Sequence, residues 1–222
     1  MININELFNL LDDWKNLPSY QLERIVDVFF ALHLKEILLG ICASEIDYII
    51  PEFPIRKGSL PQNGEFNINP AKNGNQSFKI DYLAYSKSED LVYFIELKTE
   101  MSSRNQKQDW YLESARELGM YRILEDLRQI YKATNSKGRK KYFYLLDKLN
   151  RLDWIKGCDK NFRILKSPQN IEIVYIQPTI TENDKNTKQI ISFEQICNVL
   201  KEDGTEPITE RFLESLKKWG MR

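Results

Sequence analysis

Two apolar runs joined by a short polar stretch limit what this chain can fold into more than any other feature. Residues 78–85 and 91–98 are rich in β-branched and aromatic side chains, and the polar residues 86–90 lie between them. This pattern predicts a β-hairpin. If the hairpin is centred in its connection, Tyr85 faces Val92 and Asp81 faces Glu96. Apolar side chains occur on both faces of each strand, which predicts a sheet covered on both sides.

Hydrophobic periodicity predicts the elements around the hairpin. Pro18 ends a first short helix, and Ser19 is positioned to cap a second, longer one. In chain order we expect helix, three strands, helices and strand, which is an α/β fold. The expected bounds are 4–14 and 19–40 for the first two helices, 49–55 for the first strand, 58–76 for a loop rich in Gly, Pro and Asn, 110–127 and 140–154 for the later helices, 171–177 for a strand, and 190–200 for a strand that passes into a helix.

Length and composition favour one cytoplasmic domain. The 222 residues are 42% hydrophobic, enough to bury a full core. Cys42, Cys158 and Cys197 are odd in number and scattered, so neither a disulfide framework nor a zinc knuckle is indicated. The N-terminus lacks the basic and apolar pattern of a secretory signal. The most apolar stretch, residues 25–43, is interrupted by charged side chains, so we expect no membrane partner.

Charge is balanced over the whole chain but not along it. The 32 basic and 32 acidic side chains cancel, so the protein is not a polycation that coats DNA indiscriminately. Between residues 132 and 166, however, eleven Lys or Arg stand against three Asp, a local net charge of +8. Lys137, Arg139, Lys140 and Lys141 are the candidate contacts to nucleic-acid phosphates in this segment. The aromatic residues 142–144 that follow are assigned to the core, because aromatic side chains at helical spacing usually pack there.

Asp81 and Glu96 are carboxylates within apolar strands, where an ionised group is costly unless a cation meets it. Side chains that face each other across a hairpin have Cβ atoms about 4.5–5.5 Å apart, a separation at which two carboxylates can share a divalent ion. Mg²⁺ prefers such oxygen ligands, and Mn²⁺ is a substitute. The strand period of two puts Lys98 on the same face as Glu96. The alternative is a cross-strand ion pair of Asp81 with Lys98, in which Glu96 is merely solvated.

The segments around these residues, FKIDYLAY from Phe78 and LVYFIELK ending at Lys98, resemble the core of the PD-(D/E)XK nuclease superfamily. Ile80 stands where the motif often has proline. The resemblance covers about residues 19–177, with 178–222 as a C-terminal extension of a single domain. It implies a restriction endonuclease-like αβββαβ core with a mixed sheet flanked by helices. It also implies metal-dependent cleavage of nucleic acid, with DNA as the expected substrate, Asp81, Glu96 and the carbonyl of Leu97 on Mg²⁺, and Lys98 near the attacking water.

Three further residues are candidates through the same resemblance. Members of the superfamily often carry an acidic residue on the helix before the hairpin, and Glu23 matches that position, although a carboxylate in a first helical turn also favours the helix dipole. Gln108, with Tyr111, is similar to the Gln-and-Tyr helix motif of the RecB-like branch, at a different spacing. Arg104 and Gln108 open the helix after the hairpin, where backbone N–H groups can hold a phosphate. An ordinary polar helix entrance has the same composition.

Two other classes of function stay open at this point. A catalytically inactive protein with the nuclease fold can serve as a nucleic-acid-binding or protein-interaction module, because a fold alone does not establish chemistry. A structural or immunity-type partner protein is compatible with the neutral overall charge and the modest basic patch, and association into a homodimer or with a partner protein stays open. DNA or RNA as substrate, internal or terminal cleavage, and sequence specificity all remain undetermined by the sequence.

Overall fold

A computed structural model describes residues 3–18, 20–61, 74–181, 189–201 and 206–220. Within these ranges the chain is α/β, with a five-stranded mixed sheet flanked by helices. The helices are α1 (Ile4–Trp14), α2 (Leu22–Cys42), α3 (Gln106–Ala133), α4 (Ser136–Arg151), α5 (Phe193–Val199) and α6 (Pro207–Gly220). The strands are β1 (Tyr48–Arg56), β2 (Ser77–Ser86), β3 (Leu91–Leu97), β4 (Ile155–Lys156), β5 (Arg163–Ile164), β6 (Asn170–Gln177) and β7 (Gln189–Ser192).

The larger sheet has the strand order β1-β2-β3-β6-β7. β2 runs antiparallel to β1 and to β3, whereas β6 and β7 are parallel. All seven residues of β3 are buried, as expected for a strand with both faces covered. The predicted order of helix, three strands, helices and strand is confirmed for α2, β1 to β3, α3, α4 and β6.

The hairpin register agrees with the prediction along its observed length. Tyr85 pairs with Val92, and the pairing continues with the same offset to Tyr82 opposite Ile95. Polar residues at the turn and apolar residues on both strands are therefore sufficient to fix this part of the sheet. Ser19, the predicted cap, and residues 62–73 of the predicted loop lie outside the described residues.

The chain divides into two compact units. The first contains Met1–Ile46, Glu96–Arg104 and Val174–Arg222, and the second contains Asp47–Ile95 and Asn105–Ile173. Glu23, Glu96, Leu97, Lys98 and Arg104 therefore belong to the first unit. Asp81, Gln108 and the basic residues of α4 belong to the second.

The core of the first unit is a cluster of aromatic rings from three helices. Phe8 of α1 lies 4.9 Å from Phe29 of α2, and Phe212 of α6 lies 5.1 Å from Phe30, measured between ring centroids. The single histidine, His33, stacks on Phe212 with an interplanar angle of 12°. Large rings in offset or tilted contact contribute much of the apolar burial that holds such helices together.

In the second unit, α3 packs against β1 and is kinked at Gly119, whose φ of 75° only glycine adopts without strain. α4 begins at Ser136, four residues earlier than predicted, because the side chain of Asn135 accepts a hydrogen bond from the backbone N–H of Gly138 at 2.9 Å. The periodicity analysis did not predict the small β4–β5 sheet or helix α6.

Candidate functional site

Two charged side chains are buried at the end of β3. Glu96 is 1% exposed and Lys98, one residue beyond the strand, is 4% exposed. The backbone N–H of Lys98 donates to the carbonyl of Ile176 at 2.8 Å, which holds the lysine against β6. Ionised groups at this depth are costly unless they are paired.

The structure brings three of the predicted site residues together in the first unit. Lys98 Nζ lies 3.5 Å from Glu96 Oε2 and 3.8 Å from Glu23 Oε1. Glu23 reaches this point from the first turn of α2, and its side chain is 34% exposed. We call these three residues the Glu96 cluster. The alternative in which Glu96 is merely solvated is wrong, because Glu96 is buried beside an ammonium.

Two carboxylates and one ammonium give the Glu96 cluster a formal charge of −1. Carboxylates that lie close together where charges are weakly screened attract cations. Carboxylate oxygens are the ligands that Mg²⁺ takes, and proteins commonly supply only one or two of them and leave the rest to water and substrate phosphates. The donor set of Glu96 and Glu23 therefore fits Mg²⁺, although among the described residues no group of three or more His, Cys, Asp or Glu forms a ready-made metal site.

A cavity of about 170 Å³ lies in the same unit. Its wall includes Thr99 and Glu100, the two residues that directly follow Lys98, together with Lys15 at the end of α1 and Leu22 at the start of α2. The chain next to the Glu96 cluster is therefore adjacent to open space large enough for several waters or a small group.

Asp81 lies in β2 and is partly buried. Strand alternation puts it on the same face as Lys79, while Ile80 between them is fully buried on the other face. The observed hairpin pairs end at Tyr82 with Ile95, one position short of Asp81. Since Asp81 and Glu96 belong to different units, the expectation that they face each other stays a prediction.

Gln108 and Tyr111 are tied to the strand that carries Asp81. Gln108 Nε2 donates to the hydroxyl of Tyr111 at 3.3 Å, and that hydroxyl donates to the backbone carbonyl of Lys79 at 3.2 Å. The Tyr111 ring stacks on Phe78 at 4.5 Å. Hydrogen bonding and stacking thus fix the first turn of α3 beside β2, two residues from Asp81.

At the start of α3, part of the hydrogen-bonding capacity of the backbone N–H groups is already used. Asn105 is the N-cap, and its side chain accepts from the backbone N–H of Gln108 at 2.9 Å. In the first unit the guanidinium of Arg104 lies 4.5 Å from the ring centroid of Tyr175. These contacts give Arg104 and Gln108 a local structural role. The assignment of both residues to phosphate binding stays a prediction.

No protein-family model, curated protein or solved structure matches this chain. The candidate site is therefore interpreted from its own geometry. None of the described helices is long and apolar enough to cross a membrane.

The basic segment forms an exposed helical surface in the second unit. Lys137, Lys140 and Lys141 are exposed on α4. Arg139 is exposed as well, but its Nε donates to the carbonyl of Thr134 at 2.8 Å, just beyond α3. The three lysines are therefore the better candidates for phosphate contacts, whereas Arg139 also has the structural role of closing the end of a helix.

Two features of the second unit did not emerge from the sequence. Phe143 and Tyr144 are 48% and 62% exposed, so assigning the aromatic residues of this segment to the core is wrong for these two. Glu52 of β1 has a φ of 54°, a left-handed conformation that is unusual for glutamate. The alternation of side chains along β2 predicts that Lys79 lies on the same face as Asp81. No feature of the sequence predicts the left-handed backbone of Glu52.

Proposed function

We propose that this protein is a metal-dependent nuclease of the PD-(D/E)XK type that hydrolyses phosphodiester bonds of nucleic acid, with DNA as the expected substrate. The observation that supports this function is the Glu96 cluster, in which two carboxylates approach a single buried ammonium at the end of a strand. The two carboxylates supply oxygen ligands of the kind that a divalent cation takes, and a cation next to a lysine is suited to phosphate chemistry.

In this proposal Glu96 and Asp81, with the carbonyl of Leu97, hold Mg²⁺, and Glu23 adds a further carboxylate. Bound Mg²⁺ polarises the scissile phosphate and lowers the pKa of a water ligand. Glu96 and Glu23 have a second task, because their carboxylates hold the ammonium of Lys98 within the cluster. The buried strand β3 restricts the movement of both Glu96 and Lys98, which favours a preorganised site.

Lys98 is proposed to orient the attacking water and to offset negative charge that develops on the phosphate. An ammonium fixed in place before the reaction does not need to reorganise when that charge appears, and such electrostatic help is usually the largest contribution to catalysis. Lys98 therefore acts mainly in the transition state and contributes less to binding of the ground state.

The order of elements also supports the proposal. α2, β1, β2, β3, α3 and β6 occur in this chain order as helix, three strands, helix and strand, which is the order of the αβββαβ core. The additions to that core are then α1, α4, β4, β5, β7, α5 and α6. The rival function is a nuclease-like fold that binds nucleic acid or protein without cleaving it, and it differs from the proposal in one measurable property, which is turnover.

Cleavage assays on the purified protein test the proposal. Linear, circular and single-stranded DNA, together with RNA, are incubated with Mg²⁺ or Mn²⁺, and the variants Asp81→Asn, Glu96→Gln and Lys98→Ala are compared with the wild type. We expect each variant to lose about 10²–10³-fold or more in turnover, the loss that follows removal of one preorganised electrostatic group. Lys98→Ala should still bind Mn²⁺ in calorimetry, whereas the two carboxylate variants should bind it weakly.

Asp13→Asn is the matched control, since Asp13-Trp14-Lys15 is the other acidic-x-Lys triplet of the chain and Asp13 is exposed on α1. It should cleave like the wild type. Full turnover in Glu96→Gln would rule out the proposed role of the cluster. Binding of nucleic acid without cleavage of any substrate would favour the inactive binding module.

A further inference from the structure

A cavity of about 320 Å³ in the second unit is not part of the Glu96 cluster. Its volume falls within the range of about 300–1,000 Å³ that is usual for small-ligand sites. Residues of β1, β2 and α4 line it, including Pro51, Glu52, Lys79, Lys141, Tyr142 and Leu145. We call this the α4 cavity.

The α4 cavity combines two cations with one aromatic ring. Lys79 Nζ lies 5.8 Å from the ring centroid of Tyr142, within the distance of a cation–π contact. Lys141 contributes a second ammonium from the neighbouring position on α4. Although much of Lys79 is exposed, burial of its ammonium end lowers its pKa, and the negative charge of Glu52 offsets part of that change. A cation that has already lost part of its hydration gains more from an incoming anion.

The ring of Tyr142 is fixed in position. It meets the ring of Tyr131 edge to face at 6.4 Å, with an interplanar angle of 88°. Burial raises the pKa of Tyr142, while a hydrogen bond with Ser77 acts in the opposite direction, so the hydroxyl is protonated at neutral pH. A neutral ring held by its neighbours is a suitable surface for stacking a flat heterocycle.

Glu52 gives the cavity an acceptor in a strained conformation. The pairing of β1 with β2 continues on both sides of it, from Pro51 with Tyr82 to Phe53 with Ile80, yet Glu52 itself has a φ of 54°. A non-glycine residue in this region of backbone space is strained, and such strain within a strand often accompanies an active site or a ligand clamp. The strain here occurs at the residue whose carboxylate lies with Lys79 in the wall of the cavity.

From these contacts we propose that the α4 cavity binds one nucleotide unit of a single-stranded nucleic acid. The phosphate meets Lys79 and Lys141, the base stacks on the ring of Tyr142, and Glu52 accepts a hydrogen bond from an N–H group of the base. An anion alone would not use the ring or the carboxylate, and an apolar ligand would leave both lysines desolvated. This inference rests on the proposed function only in taking nucleic acid as the substrate.

Binding of a fluorescein-labelled single-stranded oligothymidylate, measured by anisotropy with EDTA present so that no cleavage occurs, tests the proposal. Tyr142→Ala should raise Kd by about tenfold, within the range known for loss of one base stack. Lys79→Gln and Lys141→Gln should each raise Kd several-fold and reduce its salt dependence. Tyr142→Phe, which keeps the ring, should bind almost like the wild type.

The same helix offers matched controls outside the cavity wall, Tyr144→Ala and Lys148→Gln, both at exposed positions. Tyr144→Ala should leave Kd unchanged, and Lys148→Gln should change it less than Lys141→Gln. If Tyr142→Ala does not fold, the comparison of Lys79→Gln and Lys141→Gln with Lys148→Gln decides the question instead. Equal Kd values for cavity and control variants would overturn the proposal.

Failure of the nuclease proposal gives a different result. A wild-type protein that binds the oligonucleotide through Tyr142 but cuts no substrate would remove the proposed activity and retain the cavity as a nucleotide site. If the wild type cuts DNA and Tyr142→Ala, Lys79→Gln and Lys141→Gln all bind like the wild type, the nuclease activity is retained and the cavity is ruled out as a nucleotide site.

Discussion

The first unit contains two clusters of buried charge that use the same kinds of group. In the cluster that joins α1 to α6, which we call the Asp12 cluster, the carboxylate of Asp12 accepts from Lys218 Nζ at 2.8 Å, Trp219 Nε1 at 2.9 Å and Arg211 Nη2 at 3.0 Å. In the Glu96 cluster the ion pairs measure 3.5 Å and 3.8 Å. The first set consists of directed hydrogen bonds, whereas the second consists of charges held near one another.

The number of carboxylates separates the two clusters further. In the Asp12 cluster a single carboxylate is surrounded by donors, and the exposed Glu214 lies 3.6 Å from Arg211. In the Glu96 cluster two carboxylates approach the same ammonium. Charge-assisted hydrogen bonds of about 2.7–2.9 Å are the strong ones, so the Asp12 cluster is built to hold helices together. Burial of charge therefore does not by itself mark a functional site, whereas the number of converging carboxylates and the hydrogen-bond geometry distinguish these two.

The largest expected effect is that Asp12→Asn lowers stability but not cleavage, whereas Glu96→Gln removes cleavage and affects stability less. Asp12→Asn should lower the free energy of unfolding by about 2–3 kcal/mol, because it removes the nearer of the two carboxylates that pair with the buried Arg211. This is less than the cost for a fully buried pair, since the Asp12 side chain retains 15% exposure. Cleavage per folded molecule should not change. Glu96→Gln should abolish cleavage, and Glu23 at 3.8 Å keeps a carboxylate beside Lys98 in that variant, which limits its loss of stability.

Urea denaturation and cleavage assays on the same preparations measure both quantities. Lys218→Ala serves as the control within the Asp12 cluster, because its side chain is 56% exposed and a surface ion pair contributes only about 0–1 kcal/mol. A Glu96→Gln protein that is as unstable as Asp12→Asn would mean that the two clusters have the same structural role.

A smaller effect is expected in the pH dependence of stability. Burial alone would raise the pKa of Asp12, but hydrogen bonds from Lys218, Arg211 and Ser215 outweigh it and hold the pKa below its ordinary value of 3.8. The carboxylate therefore contributes stability that is fully present above 3.8 and is lost as the pH falls through the lowered folded value. The difference in stability between the wild type and Asp12→Asn should shrink on acidification in that window.

Thermal or urea unfolding measured from neutral pH down to the acid limit of folding checks this expectation. Asp13→Asn, the same substitution at the exposed neighbouring position, controls for the general effect of removing one carboxylate. A stability difference that grows below pH 3.8 would show that the hydrogen bonds to Asp12 do not favour its ionised form in the folded protein.

The sequence was most informative where local chemistry decides the structure. Polar residues between two apolar runs fixed the hairpin and its offset, and strand alternation correctly put Glu96 and Lys98 together. The inference about Glu96 and Lys98 succeeds because side-chain direction in a strand follows a period of two. Glu23, a candidate only through the family resemblance, also lies beside Lys98.

The sequence was least informative where contacts join distant segments. Asp12 and Arg211 are 199 residues apart, and no periodicity indicates that they meet. The aromatic residues of α4 have helical spacing, but whether such a ring is buried depends on what packs against the helix, and Phe143 and Tyr144 remain exposed. The left-handed backbone of Glu52 is likewise set by tertiary context, because glutamate has no intrinsic preference for it.

The smallest expected effect concerns the exposed charges of α4, which extend the comparison from buried to solvated groups. Lys137, Lys140 and Lys141 are exposed, so their contribution should come from release of counterions when they contact phosphate. Replacing all three with Gln should weaken binding of duplex DNA and reduce the slope of log Kd against log salt by up to about 0.9 for each phosphate that is no longer neutralised.

Arg139→Gln is the contrasting variant. Its guanidinium also closes the end of α3 through the carbonyl of Thr134, so it should lower the thermal midpoint more than the salt slope. Fluorescence anisotropy over a salt series, with a thermal melt of each variant, separates the two outcomes. A salt slope that stays at the wild-type value in the triple lysine variant would locate the phosphate-binding groups on another surface.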